Sequence, residues 1–378
     1  MKIKHLDYFL LFILALFLIS GISFLATISA PASLKKFETT NYYLIHQLTH
    51  GFLPGIILGL VCFLIPLGFL RKISPIILLA NLMALFLVFL PQIGSRIWGA
   101  SRWLNFGIIN FQPSEFLKIS SILYLSSWLK NRLSYQHQGK GILKSKRVHY
   151  TFKQVFLPFL VFLAVISIIL ILQPDISTLG IIGVTALIIY FAAGTPVWHS
   201  FLIIIGAVSG LALLIKYEAY RMSRLIVFLH PEVDPMGIGF QMKQALISIG
   251  SGGLGGRGLG LSSQKFGFLP QSMSDSTFAI IAEELGFIGC VFLILLFLIF
   301  LWVGLMIARR ADDKFSQLVA LGITFWIVLQ GFVNISSMIG ILPLTGIPLP
   351  FISYGGSHIV AELIGVGILL NIARHNKS

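Results

Sequence analysis

The residue best placed to do chemistry is Asp275. It stands in Ser274-Asp275-Ser276, just before a long apolar run, and Glu283 and Glu284 follow on the next helix. A carboxylate at a water–lipid boundary can act as a general base or bind a metal ion. The same position suits a helix N-cap, and the residue types alone leave both roles open. Glu115 and Lys118 stand three apart in Gln112-Pro113-Ser114-Glu115-Phe116-Leu117-Lys118. That spacing puts them on one helix face, where they can pair, and Pro113 suits a first helical position. The pair either ties helices together or poises a site. Arg102 and Trp103 close the stretch Trp98-Gly99-Ala100-Ser101-Arg102-Trp103. They can hold an anionic headgroup and stack on a sugar ring, or simply anchor the chain at the interface.

Three further stretches carry chemical potential. Gly250 to Gly260 is mostly glycine around Arg257. Its backbone N–H groups can cradle phosphate, or the loop is merely flexible. No Lys-Ser/Thr follows, so it is not a Walker loop. Asp175, in Gln173-Pro174-Asp175, reads as a cap for the following helix. Pro343 to Pro350, with Ser353-Tyr354-Gly355-Gly356-Ser357 behind it, breaks any helix. Broken backbone at membrane depth is tolerated only when packed in protein or lining a cavity, so a re-entrant segment beside a site is the better reading. HExxH, CxxC and GxSxG do not occur, and no strand precedes the glycine-rich loop as a dinucleotide fingerprint requires.

The elements that must position these residues are set by composition. Hydrophobic residues make up 57% of the 378 residues, charged residues 11%, and mean hydropathy is +0.93. A soluble domain carries about 25% charged residues. The chain therefore reads as an all-α polytopic membrane protein of about ten helices. The apolar runs place spans near 7–30, 51–70, 74–93, 112–129, 154–173, 175–194, 197–216, 277–308, 315–339 and 354–373. The run from Tyr8 to Ala30 is long enough to be an uncleaved first helix rather than a signal peptide. Cys62 and Cys290 fall inside apolar runs, which argues against a disulfide between them.

The net charge of +14 lies in short gaps between apolar runs, with no basic helix interleaved with aromatics. That pattern encodes topology and affinity for anionic lipid headgroups, not nucleic-acid binding. Lys and Arg concentrate in the inside loops at 71–72, 130–153 and 309–314 and at both termini, which puts both ends of the chain in the cytoplasm. Residues 217–276, between the seventh and eighth spans, then form a long extracytoplasmic loop. A connection of roughly 60 residues with this mix of Pro, Gly, aromatics and charge reads as ordered and functional. The whole chain, 1–378, reads as one membrane domain containing that loop. Residue types alone leave a transporter and an enzyme both open.

These stretches resemble the SEDS family (shape, elongation, division and sporulation), which includes FtsW, RodA and SpoVE. The resemblance runs from about Trp98 to Ala373. It rests on Gly99 to Trp103, Gln112 to Phe116, Gln173-Pro174-Asp175, Asp234 to Gln241, Gly258-Leu259-Gly260 with Gln264-Lys265, Leu269-Pro270, Ser274 to Ala279, Glu283 to Gly286, and Pro350 to Ser357. Phe240, Ser177 and His358 depart from residues the family often has there (Tyr, Gly and Ser). The loops are nearer to FtsW than to RodA in wording.

The resemblance implies a peptidoglycan glycosyltransferase that polymerises lipid II onto a lipid-linked glycan strand. The inverting step would form a β-1,4 link and release undecaprenyl pyrophosphate. It implies Asp275 as the essential loop aspartate. Arg102, Trp103, Glu115, Lys118, Arg257, Gln264 and Lys265 would contact substrate, with a divalent cation (Mg or Mn) as an optional cofactor. Asp175, Glu283, Ser353, Gly355 and Gly356 would support the site. It also implies a class B penicillin-binding protein as partner, other divisome or elongasome proteins around it, and a place in the bacterial inner membrane at the division site. A lipid II flippase or a non-enzymatic divisome scaffold would share much of this architecture.

Overall fold

The computed structural model describes residues 5–97, 100–105, 107, 110–138, 152–217, 219–234 and 237–375. Trp98, Gly99, Pro235, Met236 and the basic residues Lys2, Lys4, Lys140, Lys144, Lys146, Arg147 and Lys377 lie outside the described residues. In chain order the helices are α1 (Leu6–Phe37), α2 (Tyr42–Leu64), α3 (Leu67–Leu87), α4 (Pro113–Gln138), α5 (Phe152–Leu172) and α6 (Ile176–Ala192). They continue with α7 (Val197–Tyr217), α8 (Ala219–Leu229), α9 (Ile238–Gly252), α10 (Thr277–Arg310), α11 (Lys314–Met338) and α12 (Gly356–His375). Among the described residues, seven helices are long and apolar enough to cross a membrane: α1, α2, α3, α5, α10, α11 and α12. α6 and the first part of α7 are shorter apolar helices, and α4 is long but carries Glu115 and Lys118.

Each apolar run of the sequence falls on a helix, but two boundaries move. The turn between α2 and α3 lies at Ile65-Pro66, not at Arg71-Lys72. Ile65 is extended at ψ 132°, as the residue before a proline prefers, so α2 stops there. Arg71 and Lys72 consequently sit inside α3. α2 also begins earlier than its apolar run, at Tyr42, and contains a π-turn at Leu48–Phe52.

α12 is buried almost from end to end and α11 on most sides, whereas α1, α2 and α3 turn most of their surface outward. The outward faces carry large apolar side chains such as Leu79, Phe86, Phe201, Phe292 and Trp302, as lipid contact requires. α2 lies directly along α12. Gly51, Gly55 and Gly59 recur every fourth residue, and a Cβ on any of them would collide with Ile359, Leu363 or the Leu363 carbonyl. Close backbone approach through small residues is the usual way helices pack in lipid.

The sequence reading missed one element. β1 (Gly94–Ile97), β2 (Ala100–Asn105) and β3 (Asn110–Phe111) form a small antiparallel sheet in the order β1-β2-β3. A bulge lies between Ser95 and Arg96. Arg102 and Trp103 therefore sit on a strand that caps the start of α4.

The connection between α7 and α10 is folded. α9 lies against α10, with Ser248 donating to the Ala279 carbonyl at 2.9 Å and Gln241 Nε2 to Ser276 Oγ at 3.1 Å. Within α10, Gly286 leaves the helical conformation (φ 66°, ψ −162°), a region essentially restricted to glycine. A Cβ there would run into the backbone of Leu254 and Gly256. Gly286→Ala should therefore lower stability by about 1–3 kcal/mol, read as a fall in the thermal midpoint of the detergent-solubilised protein.

Candidate active site

α10 starts, α11 ends and α12 starts at one end of the bundle, and Asp275 sits there in the turn leading into α10. It is not the cap of that helix. Ser276 occupies the N-cap position, and the hydroxyl of Ser276 donates to the Pro270 carbonyl at 2.9 Å. The carboxylate is thus free of the capping role that the sequence left open.

The turn that carries it is held on every side. Asn334 Nδ2 donates to the Asp275 carbonyl at 2.8 Å and to the Ile347 carbonyl at 2.7 Å. Ser353 Oγ donates to the Ser274 carbonyl, and the Tyr354 N–H donates to the Met273 carbonyl at 2.7 Å. Thr277 Oγ1 reaches back to the Ser274 carbonyl at 3.0 Å. The broken segment Pro343–Pro350 lies opposite. Gly346 is in the left-handed region (φ 69°), and a Cβ there would be 3.6 Å from Asp275 Oδ2. Its lack of a side chain brings backbone close to the carboxylate.

Two guanidinium groups act on this carboxylate. Arg102 reaches from β2 to the hairpin between α5 and α6, with Nε donating to the Gln173 carbonyl at 3.1 Å and Nη2 to the Pro174 carbonyl. Arg224, on α8, donates through Nη1 to the Leu344 carbonyl at 3.0 Å. Arg224 escaped the sequence reading. Its signal was the amphipathic pattern of Tyr220 to Leu229, with basic residues opposite an apolar face.

Burial pushes the Asp275 carboxyl above its ordinary 3.8. The Ser274 hydroxyl and the charges of Arg224 and Arg102 oppose that rise. The arrangement gives a carboxylate of increased basicity between two cations that main-chain carbonyls hold in place.

Beneath the turn lies a buried polar network. Lys118 Nζ contacts Glu115 Oε2 at 2.8 Å and Gln330 Oε1 at 2.7 Å. Gln330 Oε1 also accepts from Trp326 Nε1 at 3.0 Å, and its Nε2 donates to Glu362 Oε1 and the Pro348 carbonyl, each at 3.3 Å. Glu362 Oε2 accepts the Phe351 N–H at 2.8 Å. The inward-facing pair expected from the sequence is therefore present. Glu115 and Lys118 are each only 3% exposed, packed inside the bundle. They brace the broken segment from below.

Asp175 caps α6, accepting from the Thr178 N–H at 3.4 Å. Ser177 Oγ, in the first turn of α6, donates to the Thr345 carbonyl at 2.6 Å. Gly355 exchanges two bonds with Gln47, N–H to Oε1 at 3.0 Å and carbonyl to Nε2 at 3.3 Å. Gly356 begins α12, and Ser357 Oγ accepts the Gln112 N–H at 3.0 Å. Trp103 is half-buried on β2, where its carbonyl faces Ser95 Oγ at 3.5 Å.

The glycine-rich loop packs against α10. Several of its N–H groups are engaged within the protein. The N–H groups of Arg257 and Gly258 donate to the carbonyls of Glu283 and Glu284, at 2.9 and 3.0 Å, and Phe287 N–H returns to the Gly253 carbonyl at 2.9 Å. The loop covers the break in α10 at Gly286. Glu283 is fully buried and accepts from Ser248, Ser262 and Ser263, and pairs with Arg257 at 3.2 Å. Lys265 is buried against Glu284 at 3.2 Å. Gln264 opens the short turn Gln264–Phe266, where its carbonyl accepts the Leu269 N–H at 3.1 Å. Two acids neutralise two bases here, so the cations acting directly on Asp275 are Arg102 and Arg224.

The sequence as a whole matches a known group of proteins. The FtsW/RodA/SpoVE profile, described as cell cycle proteins, covers residues 7–378. The chain belongs to that family. It is 34% identical to stage V sporulation protein E of Bacillus subtilis (strain 168) over 371 residues, covering 98% of each chain. It is 36% identical to the probable peptidoglycan glycosyltransferase FtsW of Nitrosomonas europaea over 379 residues, covering 99% of this chain and 94% of that one. Among solved structures it resembles a chain of a peptidoglycan synthase complex, with a TM-score of 0.76 at 24% identity over 98% of each chain. It also resembles RodA of Thermus thermophilus, with a TM-score of 0.70 at 23% identity over 98% of this chain and 97% of that one. FtsW/RodA/SpoVE membership and the helical architecture make the chain a multi-pass membrane protein. Two of its departures from the family pattern have structural roles: Ser177 makes the Thr345 contact above, and His358 is buried at the start of α12.

Proposed function

We propose that this chain is a peptidoglycan glycosyltransferase that polymerises lipid II, serving septal wall synthesis in the bacterial inner membrane. The observation that carries the reading is Asp275. It is a half-buried carboxylate without a capping role, at the end of a membrane bundle, and two guanidiniums act on it. The family relatives described as probable peptidoglycan glycosyltransferases support the reaction class.

In the proposed step, Asp275 takes the proton of the acceptor sugar's 4-hydroxyl as its oxygen attacks the donor's anomeric carbon. The bond from that carbon to the phosphate oxygen breaks, and undecaprenyl pyrophosphate leaves with the bonding electrons. Attack from the face opposite the leaving group inverts the donor's α configuration to a β-1,4 link. Negative charge grows on the pyrophosphate, where Arg102 and Arg224 can stabilise it. Trp103 offers a ring face on the same strand as Arg102 for a sugar. Among the described residues, no three His, Cys, Asp or Glu side chains gather to hold a metal. A lone carboxylate under the influence of two guanidiniums fits a resident dication poorly, so no step is routed through one. The partner we propose is a class B penicillin-binding protein with a single membrane anchor, among other divisome proteins.

The raised Asp275 carboxyl has a directional consequence. Only the ionised form accepts a proton, so kcat/KM should fall as pH drops through a value above the ordinary 3.8. Arg224→Gln removes a charge that favours ionisation. It should shift the acid limb to higher pH, measured as the pH profile of kcat/KM for lipid II polymerisation. An unmoved limb would show that Arg224 does not act on the base.

The enzyme reading is tested by sidedness. Purified protein with its partner should make glycan from lipid II in detergent micelles, which have no two sides. A flippase would make none there and would instead move lipid II across vesicle membranes. A scaffold would do neither.

A further inference from the structure

Asn334 follows Gln330 by four residues, so the two share a face of α11, and both are fully buried. Their partners differ. Gln330 belongs to the Lys118–Glu362 network below the site. Asn334 uses one amide nitrogen to bind two carbonyls, Asp275 at 2.8 Å and Ile347 at 2.7 Å. Those carbonyls come from the two segments facing each other across the carboxylate: the turn before α10 and the broken stretch Pro343–Pro350. The other end of the amide, Oδ1, is buried with no hydrogen-bond partner. Leaving a buried acceptor unmade is unfavourable, so stability by itself gives little reason for asparagine here. The bridge between the two segments does.

We propose that Asn334 is a positioning residue for the reaction, setting the spacing between the Asp275 turn and the Ile347 segment. The inference rests on the reading of Asp275 as the proton acceptor. Ser353 and Thr277 also brace the turn, but both act on the Ser274 carbonyl one residue earlier. Only Asn334, among the described residues, binds the Asp275 and Ile347 carbonyls together. Asn334 is fully buried, and its amide nitrogen is taken up by these two carbonyls. Its effect is on where the carboxylate stands, and a misplacement of about 1 Å at a reacting group can cost on the order of a hundredfold in rate.

The signature of such a residue is a loss in turnover out of proportion to any loss in binding or folding. The full chain, purified with its partner transpeptidase, is assayed for lipid II polymerisation as wild type, Asn334→Leu and Asn334→Ala. Leucine keeps the volume and removes the donor. Alanine leaves room for water and remains readable if leucine does not fold. The expected result is a fall in kcat of roughly ten- to a hundredfold, with KM within about threefold; the thermal midpoint drops because two carbonyls lose their partner, but the protein stays folded at the assay temperature. A kcat within twofold of wild type, or a loss that tracks the folded fraction, overturns the inference. Asp275→Asn is run alongside. If it is inactive while the Asn334 variants are normal, only the positioning role fails. If Asp275→Asn is itself active, the reading of the site fails and this inference with it.

Discussion

Asp275→Asn should leave a folded protein that makes essentially no glycan. Replacing a general base typically lowers the rate by about a hundred- to ten-thousandfold. The structure removes the competing role, which would predict no loss. Were Asp275 the N-cap of α10, asparagine would replace it almost without cost. The cap is Ser276, and the Asp275 side chain carries no helix N–H. The main-chain carbonyl of Asp275, which Asn334 grips, is unaffected by the substitution. Expression, detergent stability and partner binding should therefore match wild type, while initial rates of lipid II polymerisation collapse. Near-normal rates would sink the assignment.

Lys118→Met should be the most damaging single change to stability. The ammonium is buried between Glu115 Oε2 and Gln330 Oε1, and the side chains of the ion pair are 3% and 5% exposed. Removing one partner of a buried pair strands the other charge and typically costs about 3–5 kcal/mol. Methionine fills similar volume, so a cavity contributes little. The loss should propagate upward, because Gln330 also holds Glu362 and the Pro348 carbonyl, and Glu362 holds the Phe351 N–H. The thermal midpoint should fall steeply, and activity should fall with it. The double variant Lys118→Met with Glu115→Gln removes both charges and should regain much of the stability. A double variant no better than the single one would show that the pair is not the source of the loss.

Much of the fold was legible because lipid imposes a simple requirement: about 20 apolar residues per crossing. The boundary near Arg71 was misread because charge suggested a loop, whereas Pro66 dictates the turn and the charges fit within α3. The sheet at Gly94–Phe111 was invisible because β3 is only two residues long and β1 only four. The site was legible where a single motif held the chemistry, as in Ser274-Asp275-Ser276 and in the Glu115–Lys118 spacing. It was not legible where partners come from distant helices. Gln330, Asn334 and Glu362 stand among apolar residues of α11 and α12, and their polarity at membrane depth was the available signal. The role of the glycine-rich loop stayed open in the sequence for a physical reason. Glycine serves a phosphate cradle and a close backbone crossing equally well, and only the position of the break at Gly286 separates them.

The central claim is that the chain joins sugars at the expense of the bond between the donor sugar's anomeric carbon and the pyrophosphate. The most direct measurement is stoichiometric: purified protein and partner are given lipid II in detergent, and released undecaprenyl pyrophosphate is counted against disaccharide incorporated into glycan. The account predicts one released for each disaccharide added, in a product that a muramidase specific for β-1,4 links digests completely, with both signals absent in Asp275→Asn. Lipid II that stays intact in detergent, or pyrophosphate release without glycan, would contradict it.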